Sequence, residues 1–261
     1  MKKHFVTAIA FLATTAALAQ APKKDTLTSI VNKPTPAASA PAKKDWSKVI
    51  LTNRRANDHF MLQLGYNSWA GVPDTIHING FNRTVNFYFM FDFPFKNDPR
   101  LSLGVGLGLG INNTFFDKQE VLVAAIGNST LAFPDESGTN HFKKYKLVTT
   151  FLQVPVELRF ALDPEHTNSS WKFAVGTKIG LLMSAYTKGK TWQNSVNQTI
   201  GDFTEKESSK QYFNTTQLVG TARISYGVFG VFGEFQVNSL LKASAGPSVF
   251  PFTFGIMLSG L

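Results

Sequence analysis

Seven charged side chains lie where charge is unexpected. Asp92, Glu157, Arg159, Lys172, Lys178, Arg223 and Glu234 each interrupt a run of alternating apolar residues and fall on its polar phase. Three are acids and four are bases. Opposite charges gathered inside a narrow protein interior pair with one another, because unpaired buried charge is costly. Read structurally, the seven form a salt-bridged plug. Read functionally, they line an ion path. A second group offers acid–base chemistry: Asp74, His77, Asp135, Glu136 and His141. These sit in long polar stretches without a recognisable Ser/His/acid motif, metal-ligand spacing or Gly-rich phosphate loop. The chain has no cysteine, which removes disulfides, thiolate metal sites and a thiol nucleophile. The sequence therefore names no catalytic, cofactor-binding or metal-binding residue.

The elements that must position the seven are strands. From His59 onward the chain repeats with period two, the signature of half-buried β-structure. Eight strands are predicted: His59–Trp69, Asn82–Pro94, Leu101–Phe115, Tyr145–Leu162, Trp171–Tyr186, Tyr212–Ser225, one starting near Val228, and Phe250–Leu261. In the third, Leu101, Leu103, Val105, Leu107 and Leu109 alternate with Ser102, Gly104, Gly106, Gly108 and Gly110. Glycines on the polar face cannot fill a dry core. They suit a crowded interior in which large side chains from other strands need room. The opposite face is uniformly aliphatic or aromatic, as a lipid-facing surface must be.

The connections alternate in length. Links 70–81, 116–144 and 187–211 are long, and 238–249 is of medium length. Those at 95–100, 163–170 and Tyr226-Gly227 are short. Barrels of the bacterial outer membrane show this asymmetry, with short periplasmic turns and longer outer loops. Closure pairs every backbone group, which hydrocarbon requires. The expected fold is all-β: an eight-stranded antiparallel up-and-down transmembrane barrel, whose interior side chains can fill. Aromatic girdles are expected from Trp69, Phe115, Phe116, Tyr145, Tyr186 and Tyr212 at the long-loop end, and from Phe93, Phe95, Trp171 and Tyr226 at the short-turn end. Pro155, inside the fourth strand, should mark a bulge or an unpaired spot.

Three segments follow. Residues 1–19 read as a secretory signal: Lys2 and Lys3, an apolar stretch from Phe5 to Leu18, and the small-residue site Ala17-Leu18-Ala19. Residues 20–57, rich in Pro, Ala and Lys, read as a disordered periplasmic tether. Residues 58–261 make the barrel. The formal charge of +9 is scattered, and export argues against a nucleic-acid partner.

The stretch Thr150-Phe151-Leu152-Gln153-Val154-Pro155-Val156-Glu157-Leu158-Arg159-Phe160 resembles the outer-membrane β-barrel family common in Bacteroidetes, grouped with PorT-type proteins and labelled porin family. The glycine-alternating run Leu103–Gly110 and Ala174-Val175-Gly176-Thr177-Lys178-Ile179-Gly180 add to the resemblance, which covers residues 58–261. One departure is the chain end, Leu258-Ser259-Gly260-Leu261, which lacks the terminal Phe of many such barrels. The resemblance implies a monomeric cell-outer-membrane protein in contact with lipid, without a cofactor and not an enzyme. It further implies a structural, binding or secretion and assembly accessory role. Loops 116–144 and 187–211 are the candidate surface for envelope or secretion-machinery proteins, with the N-terminal tether and C-terminus periplasmic. A small-solute pore is the alternative, and an outer-membrane enzyme a more distant one. Loop 116–144 contains the apolar stretch Val121–Ile126, which would either face a partner or fold over the barrel mouth as a lid.

Overall fold

The computed structural model describes residues 59–124, 127 and 129–260. The signal and tether expectations lie outside these residues. Nine antiparallel strands form: β1 (Phe60–Ala70), β2 (Arg83–Pro94), β3 (Leu101–Phe116), β4 (His141–Ala161), β5 (Trp171–Gln193), β6 (Thr199–Ser208), β7 (Thr216–Tyr226), β8 (Phe229–Gln236) and β9 (Phe250–Ser259). Eight of them close a ring. β1 pairs with both β2 and β9, β4 pairs with both β3 and β5, and β7 joins β5 to β8. Each ring strand pairs with its sequence neighbour in the ring, so the barrel runs up and down.

The ninth strand departs from the expected loop over 187–211. β5 continues through Gln193, turns, and pairs back with β6 over Tyr186–Gln193. The lower half of β5, Trp171–Leu181, pairs instead with β7. One long strand thus serves the ring and then a hairpin beyond it. Thr-Lys-Gly-Lys-Thr lacks large apolar residues, which hid this strand from an apolar-periodicity reading.

The faces follow the period. On β2, Val85, Phe87, Phe89, Phe91 and Phe93 point out and are exposed, while Thr84, Asn86, Tyr88 and Met90 point in and are buried. On β3 all four alternating glycines point inward. A Cβ at Gly104 would strike the Arg159 guanidinium, at Gly106 the Met90 sulfur, at Gly108 Tyr88 and the Phe87 carbonyl, and at Gly110 the Gln153 amide. The wall is thin where the largest inward side chains must lie.

Pro155 is an unpaired spot and not a bulge. The β3–β4 register is the same on both sides of it, Val105↔Val156 and Gly108↔Gln153, but two pairs between them are missing. The proline has no N–H to give. The bulge sits elsewhere: Thr150 faces Ser184 and Phe151 faces Leu182, which leaves Met183 extra on β5. At the short-turn end, Tyr226 pairs with Phe229 across a two-residue turn. Gly227 there has φ +58°, the left-handed region such hairpins need.

Candidate functional site: lumen network and capped mouth

The inward faces stack in two layers. The polar layer begins near the short turns. Glu157 on β4 receives both the Arg159 Nε (3.2 Å) and the Arg223 Nη2 (2.8 Å) on one oxygen. Arg159 also reaches Asp92 on β2 at 3.5 Å. Further along, Lys178 on β5 donates to Glu234 on β8 (2.5 Å), to the Tyr88 hydroxyl (2.8 Å) and to Gln63 (3.0 Å). Its ammonium also lies 4.4 Å from the centre of the Tyr88 ring. The Tyr88 hydroxyl donates to Gln153, Gln153 to Gln217, and Gln217 to Gln236. Asn86 donates to Gln63 and Glu234. This chain of bonds links β1, β2, β4, β5, β7 and β8 across the lumen. Lys172 lies near the rim, beside Asp92, Ser102, Arg159 and Arg223 around a cavity of about 20 Å³. That volume holds little more than one water molecule.

The second layer is apolar and sits at the long-loop end. Leu147 and Phe151 of β4, with Leu182 and Ala185 of β5, point inward and are buried. Onto them pack Ile76 from the first long loop, Val121, Val123 and Leu131 from 117–140, Tyr212 and Phe213 from 209–215, and Leu240, Leu241, Ala245 and Val249 from 237–249. The loops therefore share one core over the mouth. The Tyr145 hydroxyl pins the longest of them, donating to the Val121 carbonyl (3.1 Å) and accepting from its N–H (3.3 Å). Gln119 ties the same loop to Thr75 and His77.

This cap corrects the girdle expectation at the long-loop end. Trp69, Phe116, Tyr145 and Tyr212 are buried in the cap and do not face lipid. Strand parity decides it: Trp69 shares the phase of inward Gln63 and Asn67, and Tyr145 that of Gln153 and Glu157. Position near a strand end is not enough to make a girdle residue. Phe115 and Tyr186 are half-buried on the outward phase, and Phe81 is exposed there. At the short-turn end, Phe93, Phe95, Trp171 and Tyr226 are all exposed on the outside.

The acid–base candidates do not converge. His141 is buried and bonds to the Thr139 carbonyl (3.1 Å) and to Asn197 (3.2 Å). Asp135 accepts from the Ser137 N–H, and that bond keeps its carboxyl below the usual range. Among the described residues, no long-loop imidazole is bonded to a carboxylate. Asp163, Glu165 and His166 bring their ligand atoms within 4.8 Å on the β4–β5 turn. The Asp163 carboxylate there accepts from the Glu165 and His166 N–H groups and bonds the His166 ring, which shapes the turn. Glu120 stands out in the cap. Burial, then the charges of Glu136, Glu205 and Glu207, push its carboxyl up to about 7. No sequence motif marks it, since the four acids meet only through the fold.

No curated protein matches this chain. Among solved structures, the attachment invasion locus protein Ail of Yersinia pestis aligns at 14% identity over 77% of this chain and 95% of its own, with a TM-score of 0.32. A second Ail structure, in complex with the heparin analogue sucrose octasulfate, aligns at 13% identity over 77% and 96%, with a TM-score of 0.31. The model of the outer membrane protein beta-barrel domain matches residues 52–245, and the chain belongs to that family.

Proposed function

We propose that this outer-membrane barrel is a closed, non-conducting and non-enzymatic protein whose long-loop end is an interaction surface. The single supporting observation is that the lumen is occupied twice over. A bonded polar network spans it, and an apolar core covers one mouth. In this reading Asp92, Glu157, Arg159, Lys172, Lys178, Arg223 and Glu234 are structural, holding the wall together from inside. The protein is a monomer, and the short turns and both termini face the periplasm, as their lengths favour.

The interaction surface lies over residues 116–144 and 187–211. The β5–β6 hairpin carries Val196, Ile200 and Phe203 at 66%, 55% and 48% exposure, beyond the strands that complete the ring. Apolar side chains held out on a rigid hairpin suit a protein partner of the envelope or its secretion machinery.

Planar-bilayer recording tests the closure. The purified protein should show a heat-modifiable band on gels and no stepwise conductance. Reproducible single-channel steps that vanish with Lys178→Met would overturn the closed reading and make the network a gate.

A further inference from the structure

Among the outward aromatic residues at the long-loop end, and one step beyond them, cations line up in register. Lys146 on β4 is directly opposite Lys188 on β5, and Lys188 is directly opposite Lys206 on β6. Lys144 faces Lys190 one step further from the ring. Arg83 joins from β2, its guanidinium 5.4 Å from the centre of the Phe115 ring, which Lys146 flanks at 5.7 Å. Lys206 sits 4.3 Å over Tyr186. Among the described residues, none of these six cations is ion-paired with a carboxylate.

The sheet segregates charge by face. Lys188 and Lys190 alternate with Thr187 and Gly189, which are buried on the inner side. Glu207 and Glu205 pair with Thr187 and Gly189, so they share that inner side with Glu120, which feels their charge. The outer face is mostly basic, with Asp117 in the same surface pocket as Arg83 and Lys144 but within ion-pair distance of neither. Like charges directly opposite one another on a sheet destabilise it. Lys146 donates to the Asn113 Oδ1 at 2.7 Å, and an anion from outside the chain would relieve the repulsion left among the two Lys–Lys pairs and the third cation of the row.

We infer that this row binds the phosphate groups of a phosphorylated glycolipid in the outer leaflet. Three features select a lipid source. The row stands on the lipid-facing phase of the wall. Phe115 stands beside Lys146 in the row, Tyr186 lies one outward position below Lys188, and the apolar residues Ile111 and Leu152 continue below them. The spacing of the cations follows adjacent strands, so several can reach one headgroup carrying two phosphates. The inference rests on the placement of the long-loop end outside the cell.

Native mass spectrometry of the detergent-purified protein tests it, with diphosphoryl lipid A as probe. The wild type should retain that lipid in preference to its fully dephosphorylated form. The double variant Lys146→Gln/Lys188→Gln should bind it about 25-fold more weakly, some fivefold per lysine. Lys96→Gln/Lys242→Gln, an equal charge change away from the row, should bind as the wild type does. All three proteins must remain heat-modifiable on gels. Equal retention of both lipids, an equal loss in the control, or equally tight binding of inorganic phosphate or heparin would overturn the proposal. Placement is tested separately. Lys190→Cys, in a chain with no other cysteine, should react with an impermeant maleimide on intact cells. Failure there removes the outer-leaflet source while leaving the in-vitro phosphate preference to stand or fall alone.

Discussion

The Lys178 ammonium lies 2.5 Å from the Glu234 carboxylate, and each comes from a different wall of the lumen, β5 and β8. Lys178 is completely buried and Glu234 nearly so. Removing one partner strands the other. Lys178→Met should destabilise the barrel by about 3–5 kcal/mol, the usual cost of an uncompensated buried charge. Lys178→Met/Glu234→Gln should recover part of that loss, since neither charge then remains. Urea unfolding in detergent, followed by tryptophan fluorescence, measures both. A double variant no better than the single one would show that Tyr88 and Gln63, and not charge, govern this position.

The glycine row makes a second test. Gly108→Ala places a methyl group against the Phe87 carbonyl and Tyr88, a backbone contact that cannot swing away. Overpacking of this kind costs about 1–3 kcal/mol. Gly233→Ala, on the outward phase of β8 with nothing within 4 Å, should change stability by no more than about 0.5 kcal/mol. Similar losses at both positions would refute the reading of β3 as a seat for inward side chains.

Tyr145→Phe should loosen the cap without opening the ring. It removes both hydrogen bonds to Val121 but keeps the aromatic ring among Phe142 and its neighbours. Limited proteolysis should cut within 117–140 faster than in the wild type, and heat modifiability should be retained. Unchanged cutting would mean that apolar packing alone holds the loop.

Much of this was legible in the sequence. Period two gives the direction of nearly every ring side chain, so the inward placement of Glu157, Arg159, Lys178, Arg223 and Glu234 can be read from parity alone. Which acid meets which base cannot. That depends on the register between strands distant in sequence, such as β5 and β8. The cap was half legible. Val121 and Leu131 announce an apolar loop, but their partners Tyr212, Leu240 and Val249 come from other loops with no shared pattern. The lysine row was invisible for the same reason. Lys146, Lys188 and Lys206 are far apart in the chain, and only pairing sets them side by side.

The cap should also respond to pH, through Glu120. Its carboxyl titrates near 7 in the folded protein, against about 4.5 in an unfolded chain. The folded state therefore holds more protons than the unfolded one between those values. Stability must fall as pH rises through this window, and level off above it. Burial is the larger cause and the repulsion from Glu136, Glu205 and Glu207 the smaller, so ionisation sets one charge against three others in a partly dry site. Hydrogen exchange of the amides in 117–140 should then be slower at pH 5.5 than at pH 8. Glu120→Gln should remove most of that difference and hold the slow rate at pH 8, after correction for intrinsic exchange. A pH response of the same size in Glu120→Gln would show that Glu120 does not set the stability of the cap.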